Sequence, residues 1–151
     1  MRETGGAARR TDDRLLLLLV VLIYLIWGTH ALAHTFFLYW RLPWFDLPMH
    51  VMGGLWIGIA ALWGARRVGL RSMRAQVLAI ALSVGALALG WELLEWLRRG
   101  AIEVTFGDPY LIDTLQDLLM SGAGGALAIA VAELLPQEEA PREQDSEPAP
   151  A

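Results

Sequence analysis

The chain has 151 residues, of which 56% are hydrophobic and 19% charged, and it contains no cysteine. A soluble domain of this length is about 45–50% apolar with roughly a quarter of its residues charged, so the excess points to lipid. The composition excludes a disordered chain, a disulfide scaffold, a Cys-based zinc site and a cysteine nucleophile. The formal charge of −4 and a pI near 5.3 argue against nucleic acid as a partner. Every basic residue is arginine, which is read first as genome composition.

The first apolar run starts after Arg14 and reads LLLLLVVLIYLIWG, then THALAHTFFLYW, to Trp40. A bilayer core takes about 20 apolar residues as helix, so this run spans with tilt or projects beyond the lipid. Its basic start and Ala31-Leu32-Ala33 also fit a signal peptide. Against that, the apolar run resumes at Phe36 and more spans follow. Arg9-Arg10 is a poor twin-arginine signal, because Asp12 and Asp13 intervene.

The second run covers Pro48 to Ala65, the third Ala75 to Leu97 and the fourth roughly Tyr110 to Leu135. Asp46 before Leu47-Pro48 reads as a helix start. After Pro136 the chain is acidic, Pro-rich and without aromatics, which predicts a disordered tail that folding does not need. The predicted organisation is an N-terminal tail at 1–13, an all-α transmembrane domain of about four helices at 14–135, and the tail at 136–151.

Arginines set the expected topology. Arg2, Arg9, Arg10 and Arg14 precede the first span, and Arg66, Arg67, Arg71 and Arg74 lie between the second and third. The opposite side has only Arg41, Arg98 and Arg99. The positive-inside rule then places both termini in the cytoplasm of a multi-pass cell-membrane protein. Gly54 and Gly58, Ala86 and Gly90, and Ser121 to Ala126 are small residues at spacings that let helices approach closely in lipid. Gly122-Ala123-Gly124-Gly125 follows no strand and is not a dinucleotide loop.

A charge at the bilayer centre costs about 2.5–3.5 kcal/mol on insertion scales, so ionisable residues in spans are informative. Here they come in pairs at helical spacing: His30 and His34, Asp46 and His50, Glu92 and Glu95, Asp113 and Asp117. Each pair shares a helix face. The predicted topology brings all four pairs to one depth, near the outer leaflet, and a bundle with inward faces gathers them. Asp46, Glu92, Glu95, Asp113 and Asp117 outweigh Arg41, Arg98 and Arg99, and such like charges cannot all stay ionised. Protonated carboxylates, charged histidines or a bound divalent metal ion each relieve the excess. Carboxylates with imidazole suit zinc, manganese or iron; carboxylates alone suit magnesium or calcium. For single residues the structural reading stands beside this: Asp46 and Asp113 as caps, Glu92 on a helix end, His30 and His34 at the interface. Taken together, Asp46, His50, Glu92, Glu95, Asp113 and Asp117 favour one shared polar site.

The stretch Asp46-Leu-Pro-Met-His50-Val-Met-Gly53-Gly54, then Gly90-Trp91-Glu92-Leu-Leu-Glu95-Trp96, then Asp113-Thr114-Leu-Gln-Asp117 with glycines after it, resembles small bacterial membrane proteins of the YjdF-like group. It is more distantly similar to VanZ-like proteins, from whose pattern it departs at Glu95 and Ser121. The resemblance covers roughly Trp44 to Gly125 and implies an integral membrane protein without supplying a reaction.

Two functions compete. The first is a metal-dependent hydrolase or transferase acting on a lipid or lipid-linked substrate. In it His50, Glu92, Asp113 and Asp117 hold the metal, Glu95 acts as general base, and Asp46, His30 and His34 support. The second is a non-enzymatic membrane protein whose polar cluster only organises the bundle. An ion or proton carrier fits less well, because the cytoplasmic halves offer only Glu133.

Overall fold

The computed structural model describes residues 3–98, 100 and 109–135, with side-chain detail from Thr11 onward. The acidic tail expected at 136–151 lies outside the described residues. In chain order the helices are α1 (Glu3–Thr35), α2 (Leu38–Arg41), α3 (Asp46–Arg67), α4 (Met73–Arg98) and α5 (Pro109–Leu134). No strand occurs among the described residues, and α1, α3, α4 and α5 are long and apolar enough to cross a membrane. The protein is an all-α bundle, as the apolar runs predict.

The first run differs from its expected bounds at both ends. Helix α1 begins at Glu3, so part of the stretch read as an N-terminal tail is helical. It stops at Thr35 rather than Trp40 because Phe37 adopts a left-handed conformation (φ 57°), which no continuing helix allows. Thr35 Oγ1 donates back to Ala31 O at 2.9 Å, and α2 follows as a separate turn.

The α3–α4 turn follows from local chemistry. Gly69 takes a positive φ of 83° just past α3. Leu70 N donates to Ala65 O (2.9 Å) and Gly69 N to Arg66 O (3.1 Å), the reciprocal pair of a glycine-closed helix end. Ser72 Oγ then accepts from Ala75 N (3.3 Å), capping the start of α4. Helix α5 opens on Pro109, at the one helical position where a missing N–H costs nothing.

Helix α3 is the hub and packs against α5, α4 and α1; α4 and α5 also pack together. Helix α1 lies along α3, tied there by Trp56 Nε1 donating to Leu19 O at 3.0 Å. The buried apolar core joins Leu15, Ile59, Leu62, Ile80, Val84, Ala128 and Ala132. Large apolar side chains such as Leu17, Trp27, Leu82 and Leu119 stay exposed, as a lipid-facing surface requires.

Lipid tails are as apolar as leucine, so helices in a bilayer associate through close packing. The α3–α5 crossing shows it. A Cβ on Gly54 would overlap the Ser121 backbone, one on Gly124 the backbone of Val51 and Leu55, and one on Gly58 the Ala128 methyl. Not every small residue serves this purpose: a Cβ at Gly90 or Gly122 meets nothing.

The chain's reversals sort polar residues between the two ends. One end carries Asp12 of α1, facing Arg66 Nε at 3.7 Å and Arg67 Nε at 3.5 Å. There Gln76, only 1% exposed, donates through Nε2 to Leu70 O at 3.1 Å and holds the α3–α4 turn. The other end carries all the histidines.

Candidate functional site

At the histidine end, the turns of α3 and α5 that carry His50 and Asp117 lie side by side because the crossing at Gly54 and Ser121 brings their backbones into contact one turn deeper. Asp46 opens α3, and His50 is four residues on, so both point from one helix face. The helix start does not use Asp46 as a cap: Phe45 flanks it with no side-chain cap hydrogen bond. The Asp46 carboxylate instead lies 3.7 Å from His50 Nε2.

Asp117 approaches the same nitrogen from α5, with Oδ1 at 3.6 Å. This carboxylate is buried, 1% exposed, and its Oδ1 has no hydrogen-bond partner among the described residues. Ser121, one turn along α5, places its hydroxyl 3.4 Å from His50 Nδ1. Both imidazole nitrogens are thus addressed from α5. Ligand atoms of Asp46, His50 and Asp117 all lie within 4.8 Å of one another.

Glu92 enters from α4. It is 7% exposed, its Oε2 has no hydrogen-bond partner among the described residues, and its charge acts on both His50 and Asp117. Tyr110 donates to the Glu92 backbone carbonyl at 3.3 Å, joining the end of α4 to the start of α5. Asp113 is half-buried, and its charge acts on Glu92 and Asp117. Neither Glu92 nor Asp113 belongs to the three-residue group. Glu95 is turned aside, accepting from Trp91 Nε1 of its own helix at 3.1 Å.

His30 and His34 belong to a different cluster. Helix α1 packs along α3 and α2, so its last turn faces the α2 segment rather than α5. His30 Nδ1 lies 2.8 Å from the Tyr39 hydroxyl, and the His34 ring packs on Tyr39 and Trp40. Burial, and then the charge of Asp46, push the Tyr39 hydroxyl above its ordinary range, so it stays a phenol.

Of the residues singled out in the sequence, His50, Asp117 and Asp46 therefore come together in the structure. Ser121, which the sequence marks as a small residue and as a departure from the VanZ-like pattern, joins the group through His50. Its signal was present: it stands four residues after Asp117, on the same helix face.

Two carboxylates and an imidazole can act in two ways. They hold a divalent ion, or they form a charged hydrogen-bonded group around an imidazolium. Ligands about 2.1 Å from a common ion at a tetrahedral angle stand about 3.4 Å apart. The two His50–Asp separations are close to that, and longer than a good hydrogen bond.

These features define a multi-pass helical membrane protein with a part-buried His/carboxylate group at one end of its bundle. The chain belongs to the family described as "Predicted membrane protein (DUF2238)", which it matches over residues 7–137 and which includes the YjdF-like proteins. No curated protein and no solved structure matches the chain.

Proposed function

We propose that Asp46, His50 and Asp117 hold a divalent cation, and that the protein uses it in hydrolysis or transfer on a lipid or lipid-linked substrate. The observation that carries the reading is the buried Asp117 oxygen, unpartnered and facing His50 at 3.6 Å. A carboxylate so placed needs a proton, a charged imidazole or a metal ion. The donor set of imidazole and carboxylate favours zinc, manganese or iron over magnesium and calcium.

A divalent ion there would polarise a phosphoryl or carbonyl oxygen of the substrate. Ser121 would fix the His50 ring through Nδ1, leaving Nε2 for ligation. Glu92, buried beside the group with a free oxygen, is placed to move a proton; Glu95 would do so only after leaving Trp91. The positive-inside expectation sets this end at the outer face of the cell membrane, within reach of lipid-linked substrates.

The rival reading is a structural one, in which His50 is charged and bridges Asp46 and Asp117 to register α3 against α5. Metal analysis of the purified protein in detergent separates the two. The proposal expects about one divalent ion per chain, lost in Asp117→Asn with the bundle still folded. The structural reading expects the same ion content in the parent protein and in Asp117→Asn.

A further inference from the structure

The histidine end carries a second pair of imidazoles that the buried group does not use. His30 and His34 are four residues apart on α1, both exposed, with ring centroids 4.6 Å apart and planes inclined at 72°. Counted from Leu15 at 1.5 Å per residue, a hydrocarbon core of about 30 Å ends near residue 34. On that count His34 stands at the headgroup level, where dissolved ions reach it, and His30 lies one turn below.

Both rings are held. Tyr39 engages His30 at Nδ1 through its hydroxyl, 2.8 Å away, and its ring packs on both imidazoles, with centroids 5.6 Å from His30 and 5.5 Å from His34. Trp40 packs edge-on against His34 at 5.9 Å. Metal-ligating histidines characteristically give their second ring nitrogen to an oxygen partner, which fixes ring orientation and tautomer. In the tautomer with the proton on Nδ1, His30 donates to the Tyr39 oxygen and presents Nε2 outward as a lone pair.

We propose that His30 and His34 form a surface site for a borderline transition-metal ion such as Zn2+ or Cu2+, with Tyr39 as its positioning residue. Two imidazoles at i and i+4 offer a chelating pair on one helix face; with His30 held by Tyr39, a rotamer change of His34 alone brings the two nitrogens to the roughly 3.3 Å that a shared ion requires. Water completes the coordination. Imidazole ligands select zinc, copper and nickel over magnesium and calcium, so the site discriminates by chemistry. It does not rest on the reading of the buried cluster, which shares none of its residues.

The chain has three histidines and no cysteine, so imidazole-bound metal is assignable by subtraction. The experiment is equilibrium dialysis of Zn2+ against full-length protein in detergent, freed of any affinity tag, with Cu2+ electron paramagnetic resonance alongside. The expected result is loss of one zinc equivalent in His30→Gln/His34→Gln, together with loss of a two-nitrogen copper signal. Asp117→Asn should retain the zinc equivalent that depends on His30 and His34, and the two-nitrogen copper signal. Tyr39→Phe should weaken the site about 10-fold or more without removing it. A double variant that binds the same number of zinc ions as the parent, or a copper spectrum with no nitrogen coupling that depends on His30 and His34, overturns the proposal. A parent that loses zinc only in Asp117→Asn supports the buried site and refutes this one.

Discussion

Gly54 and Ser121 meet backbone to backbone: a single methyl group built on Gly54 would fall on the Ser121 carbonyl. One turn above this contact on each helix stand His50 and Asp117, 3.6 Å apart. The glycine therefore sets more than packing. It fixes how far apart the two polar side chains sit, because both side chains are carried by the backbones that touch.

Gly54→Ala should destabilise the protein by about 1–3 kcal/mol, the usual cost of overpacking a tight contact. The Ser121 backbone cannot give way as a side chain would. Gly122→Ala is the control, since nothing lies near its Cβ; there the helix should gain up to about 1 kcal/mol from losing a glycine. Unfolding in mixed detergent measures both, and equal effects at the two positions would refute the crossing geometry.

Gln76→Leu should loosen the α3–α4 turn. The Gln76 amide donates to the Leu70 carbonyl, and a leucine leaves that acceptor without its side-chain partner. The expected cost is about 1–3 kcal/mol. Hydrogen exchange should rise around residues 68–76 before it rises in α5. Uniform exchange across the bundle would argue that the turn is not held locally.

Asp12→Asn should weaken the attachment of α1 at the arginine end. Asp12 faces Arg66 and Arg67 at 3.7 and 3.5 Å, separations longer than close hydrogen bonds, and its carboxylate is part-exposed. The cost is expected to be about 1 kcal/mol or less. Increased exchange in the first turns of α1, with α4 and α5 unaffected, is the expected pattern. High salt should reproduce part of it in the parent protein.

Reporter fusions test the orientation that the arginines predict. Fusions after Gly100 and after Ala140 should report opposite sides of the membrane, with the second in the cytoplasm. Both on one side would break the four-span count. Opposite sides with the second outside would keep the count and reverse the orientation.

Hydropathy over a 20-residue window is a local property, so the four spans could be read from the chain alone. So could the gathering of polar pairs at one end, because alternating spans return to the same side. The turn between α3 and α4 rests on Gly69 and Ser72, local signals that the reading of spans and charges passed over. The break at Phe37 has no such signal: aromatic residues carry none for a left-handed backbone.

Which polar residues meet was decided by the tertiary structure. Spacing at i and i+4 states that Asp113 and Asp117 share a face, but not which of them reaches His50. That depends on the depth and rotation at which α5 crosses α3, set by Gly54, Ser121 and Gly124 in mutual contact. Asp46 reaches the same nitrogen from within α3, four residues before His50, while Glu95 accepts from Trp91 of its own helix. His30 and His34 reach the right end of the bundle but the wrong side of it, because α1 lies along α3 and its last turn faces α2. A chain's own pattern fixes position along a helix; the angle about its axis at which a side chain meets another helix is a property of two surfaces, and only their packing settles it.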